Sequence, residues 1–159
     1  MILKRFFYFI FFVLIFYQCI KKVGSDPEQK FSDKALFDSA KSINSKYYKN
    51  KDTLYSGAHG PHGTFKLRFN SAAYKMLTDS GRIPKTSVFP EGAMVVKDVY
   101  KNGTLDLYAY MYKHNGLWLW GEAQSTGKFL FTVKDGPGSC LGCHSQSGNR
   151  DFVVAFNFY

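Results

Sequence analysis

Cysteine is scarce in this sequence, acidic residues are outnumbered, and no repeat runs through it. Three cysteines among 159 residues are too few for a small domain held together by disulfides. The absence of a fixed repeat or a sustained heptad excludes a collagen and a long coiled coil. Asp and Glu total 12 against 21 Lys and Arg, a formal charge of +9. Because the lysines are dispersed rather than clustered, we expect no nucleic-acid partner.

Aromatic side chains, in contrast, are abundant. They make up 18% of the chain, with 16 Phe and 11 Tyr. A disordered chain has few aromatics and low hydrophobicity, so disorder is excluded. The length suffices for one domain with a substantial core.

Residues 1–18 have the form of a secretory signal peptide. The basic residues Lys4 and Arg5 precede an unbroken apolar run over residues 6–16. This run is short for a bilayer-spanning helix, so we interpret it as an export signal.

Cys19 stands where a bacterial lipoprotein carries its lipid, although Gln18 replaces the small residue that usually precedes it. We expect lipidation of Cys19, with ordinary cleavage nearby or an uncleaved anchor as alternatives. Residues 19–31 would then form a tether. The predicted location is the periplasmic side or the outer membrane of a bacterium, with membrane attachment through the lipid.

Hydrophobic periodicity predicts one α+β domain over residues 32–159, with a mainly antiparallel β-sheet. Ser32 is the predicted N-cap of an amphipathic helix over about 33–49. Asn-Gly pairs at 102–103 and 115–116 predict hairpin turns, which join antiparallel strands. Strands are predicted over 64–69, 93–100, 104–113, 117–123, 128–133 and 151–158, with a short helix from about 71 to 80 between the first two.

The sequence Cys140-Leu141-Gly142-Cys143-His144 matches the C-x-x-C-H pattern of c-type haem attachment. Two thiols three residues apart lie on one side of a helical turn, where they can add to the two vinyl groups on one edge of the porphyrin. The adjacent imidazole can then bind the iron. We therefore predict one covalent haem c, attached through Cys140 and Cys143 with His144 as the axial ligand.

Other interpretations of the cysteines remain open. His59 and His62 have H-x-x-H spacing, and together with the two cysteines they would complete a tetrahedral zinc site. The cysteines could also form a disulfide or a redox-active dithiol, or be inert.

Four segments together resemble the cytochrome P-460 / cytochrome c′-beta family. They are residues 67–74, EGAMVVKDV at 91–99, GLWLWGE at 116–122 and CLGCHSQSGNRDFVV at 140–154. The order of these segments carries the resemblance, because C-x-x-C-H is shared by all c-type cytochromes.

The resemblance implies an antiparallel β fold, a homodimer, and five-coordinate iron with His144 proximal and an open distal side. It implies binding of nitric oxide or oxidation of hydroxylamine. Lys97 matches the lysine that is cross-linked to the porphyrin in some members, so we expect a haem cross-link or contact there. Where other members carry a distal carboxylate, this chain has Tyr112-Lys113-His114. This departure weakens the prediction of an oxidase.

Further candidates for distal or propionate contacts are His59, His62, His114 and Glu122. If one of the histidines, or a methionine, were a sixth ligand, the protein would instead be an electron-transfer cytochrome. In either case we expect a redox partner protein. A zinc-stabilised, non-catalytic lipoprotein is the third hypothesis.

Overall fold

The computed structural model describes residues 31–42, 46–48, 51–56, 61–77, 83–84 and 86–154. The predicted signal peptide, Cys19, the tether up to residue 30 and His59 lie outside the described residues. No helix in the described ranges is long and apolar enough to cross a membrane.

Seven strands in this part of the chain form one antiparallel sheet, which confirms the predicted α+β class. The strands are β1 (Lys46–Tyr47), β2 (Tyr55–Ser56), β3 (Thr64–Phe69), β4 (Met94–Lys101), β5 (Thr104–His114), β6 (Leu117–Gln124) and β7 (Phe129–Phe131). Their order across the sheet is β1-β3-β4-β5-β6-β7, and β2 also pairs with β3. Two short helices accompany them, α1 (Asp33–Lys41) before the sheet and α2 (Ser71–Tyr74) between β3 and β4.

Both Asn-Gly pairs form the predicted hairpin turns. Asn102 and Gly103 have φ of 53° and 78°, and Asn115 and Gly116 have φ of 51° and 74°. Two successive positive φ values are the requirement of a type I′ turn, which asparagine and glycine meet most readily. The second turn sets the register of β5 with β6, whereas the pairing of β4 with β5 shifts by one residue between Val99 and Tyr100.

The sheet is buried on both faces, and alternate residues of β4 point to opposite sides. Helix α1 covers one face, where it packs against Met94, Val96 and Tyr110. The other face carries the larger cluster, which includes Val95, Val99, Met111, Trp118, Trp120 and Val153.

The C-terminal part of the described chain runs from β7 to the cysteine motif through short turns. Two 3₁₀ turns, Val133–Asp135 and Gly138–Cys140, lead directly into helix α3 (Leu141–His144). The cysteine motif therefore begins at the end of a 3₁₀ turn and continues through one turn of α-helix.

The predicted helix over 33–49 is wrong in its second half. Helix α1 ends at Lys41, where the amide of Ser42 donates to the carbonyl oxygen of Asp38. Residues 46–47 instead pair with β3, and the adjacent Tyr48 is fully buried. Tertiary packing has here overridden the helical spacing of the sequence. Helix α2 also ends earlier than predicted, and residues 78–80 lie outside the described ranges.

The predicted closing strand over 151–158 is not formed over residues 151–154. Asp151 and Phe152 have φ of 47° and 64°, and they form a turn that an isolated bridge between Arg150 and Val153 closes. The carboxylate of Asp151 points inward to accept hydrogen bonds, which the alternation of apolar residues could not indicate. Residues 155–158 lie outside the described part of the chain.

Candidate functional site

A pocket enclosing about 550 Å³ of partly open space lies against the sheet. One row of register partners crosses β3 to β7 and lines it: Leu67, Lys97, Ala109, Glu122 and Phe131. Ala109 stands between Lys97 and Glu122, and its small side chain leaves room above the middle of the sheet.

The opposite wall comes from the segments that follow the sheet and precede β3. His62, Cys140, His144, Val153 and Val154 contribute to it. The structure thus brings five sequence-predicted site residues to one pocket: Cys140, His144, Lys97, His62 and Glu122. They come from four regions of the chain that are far apart in sequence.

The two cysteines are free thiols that differ in exposure. Cys140 is half-buried against the main hydrophobic cluster, and Cys143 is exposed. Burial raises the pKa of the Cys140 thiol, and the nearby carboxylate of Glu122 adds to this effect. Cys140 ends the 3₁₀ turn and Cys143 lies within α3, so the two thiols are three residues apart in consecutive helical turns.

The His144 ring is held by one hydrogen bond and one aromatic contact. Its Nδ1 lies 2.6 Å from the carbonyl oxygen of Phe152. The Trp120 ring meets it edge-on at 4.8 Å between centroids. Burial lowers the pKa of His144 to about 4, so the ring is neutral at pH 7. Since a carbonyl can only accept, Nδ1 carries the proton and Nε2 is left with a lone pair for a metal.

Lys97 is placed in the pocket among apolar side chains. Its Nζ lies 4.6 Å from the centre of the Phe65 ring. Burial lowers the pKa of Lys97 to about 8, and the Cys143 thiol opposes this shift only weakly. A charge on this lysine is therefore costly.

His62 and Glu122 are the other titratable groups of the pocket that the sequence had singled out. Burial lowers the pKa of His62 to about 4, with smaller contributions from Lys97 and His144. Burial also raises the pKa of Glu122, and Asp106 adds to the effect. In both groups the pocket disfavours the charged form.

His114 is not brought to the pocket. It ends β5, where its Nδ1 lies 3.1 Å from Glu91 and its ring stacks on Phe31 at 3.9 Å. This placement gives no support to a contact between His114 and the haem, which stays a prediction. Lys113, directly before it, is buried against Asp151 instead.

Two contacts in and beside this site were not predicted from the sequence. Trp120 belongs to a predicted strand, but its contact with the His144 ring was not foreseen. The ion pair between Lys113 and Asp151 was not foreseen either, since the two residues lie 38 positions apart and no local pattern links them. The alternation of Trp118 and Trp120 was the one available signal for the tryptophan.

Within the described ranges, no group of three or more His, Cys, Asp or Glu side chains is arranged to hold a metal ion. The zinc hypothesis also requires His59, which lies outside these ranges.

Comparison with known proteins adds no relative. No family model matches the chain, and neither the curated proteins nor the solved structures contain a significant match. The resemblance to the cytochrome P-460 / cytochrome c′-beta family therefore stays a prediction.

Proposed function

We propose that this protein is an exported c-type cytochrome with one haem, whose open iron site binds nitric oxide or oxidises a small nitrogen compound such as hydroxylamine. One observation carries the proposal. Cys140 and His144 of the C-x-x-C-H motif line the same pocket as Lys97, the residue that the family resemblance had selected independently. The lipid anchor at Cys19, the homodimer and the redox partner protein belong to the same proposal.

The residues present fit a covalent haem. The pocket is walled mainly by apolar side chains, including Leu67, Val95 and Phe131, as cofactor sites are. Cys140 and Cys143 would hold the porphyrin through thioether bonds, and Nε2 of His144 would bind the iron. When bound, the haem would supply an iron that takes up diatomic ligands and exchanges electrons.

The side chains of this pocket have separate tasks in such a site. The hydrogen bond from His144 to Phe152 orients the imidazole and increases the basicity of Nε2. Glu122 supplies a carboxyl group inside the pocket, and burial raises its pKa, so it is the carboxyl group here that could take up or release a proton. Lys97 lines the same pocket as Cys140 and His144, which supports a contact between this lysine and the cofactor.

One observation also favours the second candidate, an electron-transfer cytochrome. His62 lines the same pocket as His144 and is kept neutral by burial, as a metal-binding imidazole must be. If His62 were a second ligand to the iron, no position would remain open for a substrate.

Absorption spectroscopy distinguishes the two candidates in the full-length protein matured in a host that attaches haem c. The proposal predicts high-spin iron that binds nitric oxide and carbon monoxide. His62→Ala should then leave the spin state unchanged.

If His62 is the sixth ligand, the parent protein is low-spin and His62→Ala converts it to high-spin. His114→Ala is the matched control, because His114 lies outside the pocket. A low-spin protein that binds neither nitric oxide nor carbon monoxide would refute the proposed open site.

A further inference from the structure

A buried ion pair lies beside the candidate site without lining the pocket. Nζ of Lys113, on β5, lies 2.9 Å and 3.0 Å from the two carboxylate oxygens of Asp151. The two side chains are only 5% and 9% exposed. The same carboxylate accepts a third hydrogen bond, of 2.8 Å, from the backbone amide of Phe89. Its charge is therefore compensated from two separate parts of the fold.

Asp151 begins a tight turn with an unfavourable backbone. Asp151 and Phe152 both have positive φ, and two backbone hydrogen bonds between Arg150 and Val153 close the turn. A left-handed conformation is uncommon for a bulky residue such as phenylalanine and persists only when surrounding contacts impose it. The indole Nε1 of Trp118 adds such a contact by donating a 2.8 Å hydrogen bond to the carbonyl oxygen of Asp151.

The turn at 151–152 places one backbone carbonyl oxygen beside His144. The carbonyl of Phe152 accepts the hydrogen bond from Nδ1 of His144. The side chain of Phe152 itself is 40% exposed, so apolar packing alone does not explain why this residue holds its conformation. The contacts that fix the turn are those of its neighbour Asp151.

We infer that Lys113 and Asp151 are positioning residues for His144: their ion pair imposes the turn at 151–152, and the turn sets the tautomer and orientation of the imidazole. The inference extends the proposed function and depends on it for any consequence at an iron. The effect on the His144 ring itself does not depend on a bound cofactor.

The chain offers a matched control. Arg68 and Asp98 form a second buried ion pair, with side chains 6% and 9% exposed. Arg68 also donates to the carbonyl oxygen of Ala40 at the end of α1, so this pair lies on the opposite side of the sheet. Arg68→Met removes a buried cation as Lys113→Met does, but at a place with no connection to His144.

The first measurement is ¹⁵N NMR of His144 in the full-length chain made without haem maturation. The parent chain should show an Nδ1–H tautomer whose proton exchanges slowly with water. Lys113→Met should mix the tautomers and speed this exchange about fivefold, the factor that one hydrogen bond of ordinary strength represents. Arg68→Met should leave both observables unchanged, and Lys113→Arg should retain the parent behaviour.

The second measurement is the iron–histidine stretching frequency in the Raman spectrum of the reduced, matured protein. A weaker hydrogen bond at Nδ1 makes the imidazole a poorer donor to the metal, so Lys113→Met should lower this frequency. Arg68→Met should not change it. If a haem-free variant does not fold, this spectrum alone tests whether Lys113 positions the His144 ring.

The outcomes separate the inference from the proposed function. An unchanged tautomer and an unchanged stretching frequency in Lys113→Met would overturn the inference while leaving a haem protein intact. If the matured parent chain takes up no haem, the proposed function fails, and the NMR comparison still tests whether the ion pair controls His144. Equal effects of Lys113→Met and Arg68→Met on the His144 ring would also overturn the inference, because they would indicate general destabilisation of the protein.

Discussion

Replacing Lys97 by methionine should stabilise this protein, although the variant loses a residue of the candidate site. Lys97 lies on the inner face of β4 between Val95 and Val99, and burial holds its pKa near 8 instead of 10.5. Methionine has a similar length and no charge to desolvate. A gain in stability would show that the lysine is retained for a reason other than folding.

The size of the gain follows from the pKa. A lowering from 10.5 to about 8 corresponds to a cost of roughly 3 kcal/mol for keeping the lysine charged in the folded state. The contact between Nζ and the Phe65 ring is lost in the variant and offsets about 1 kcal/mol of this. We therefore expect Lys97→Met to raise the free energy of unfolding by about 2 kcal/mol at pH 7.

The pH dependence is the sharper part of this prediction. Below pH 8 the lysine is charged in both states, so the full cost is present. Between pH 8 and 10.5 the folded state has released its proton while the unfolded state still holds one, and stability rises with pH. The advantage of Lys97→Met should therefore shrink across this window.

Urea denaturation of the full-length protein at pH 7 and pH 10 provides the assay. Lys66→Met is the control, because Lys66 on the neighbouring strand β3 pairs with Asp52 at 2.6 Å and has its pKa raised. That substitution should bring no gain at either pH. If Lys97→Met destabilises the protein at pH 7, or if its effect is independent of pH, Lys97 does not carry the cost assigned to it.

Three further predictions concern side chains on the two faces of the sheet. A Cβ atom on Gly121 would come within 2.3 Å of the Tyr110 ring. Gly121→Ala should therefore lower the stability measured by thermal unfolding by about 1–3 kcal/mol, and by much less in a Tyr110→Leu background. Asp98→Asn should lower the free energy of unfolding in urea by about 3 kcal/mol, because it leaves the buried Arg68 without its counter-charge. Glu122→Gln should stabilise the protein at pH 7 but not at pH 4. Burial raises the pKa of Glu122, so the ionised carboxylate lowers the stability of the folded state while the protonated form does not. Urea titrations at the two pH values check this.

The sheet was predictable because its signals are local. The Asn-Gly pairs at 102–103 and 115–116 have positive φ values that few other residues adopt, and they indicated three antiparallel strands and the register of β5 with β6. The alternation in β4 placed Lys97 on the same face as Val95. The alignment of Lys97 with Ala109 and Glu122 could not be predicted from the turns alone, because it depends on the one-residue shift in the pairing of β4 with β5 between Val99 and Tyr100.

The parts that could not be predicted depend on contacts distant in sequence. Helix α1 stops at Lys41 because residues 46–47 pair with β3, and no local pattern marks that exchange. Asp151 was predicted as the first residue of a strand. Its carboxylate instead points into the protein, where it pairs with Lys113, 38 residues away in sequence. No local feature of the sequence distinguishes His62 from His114 as a pocket residue. Only the fold places His62, and not His114, in the same pocket as His144.

The most direct test of the central claim is intact-protein mass spectrometry of the matured full-length chain, combined with alkylation of the denatured protein. The account predicts a mass increase of one haem that survives denaturation, with Cys140 and Cys143 both protected from alkylation. A colourless protein of unmodified mass, in which both thiols react, would contradict it.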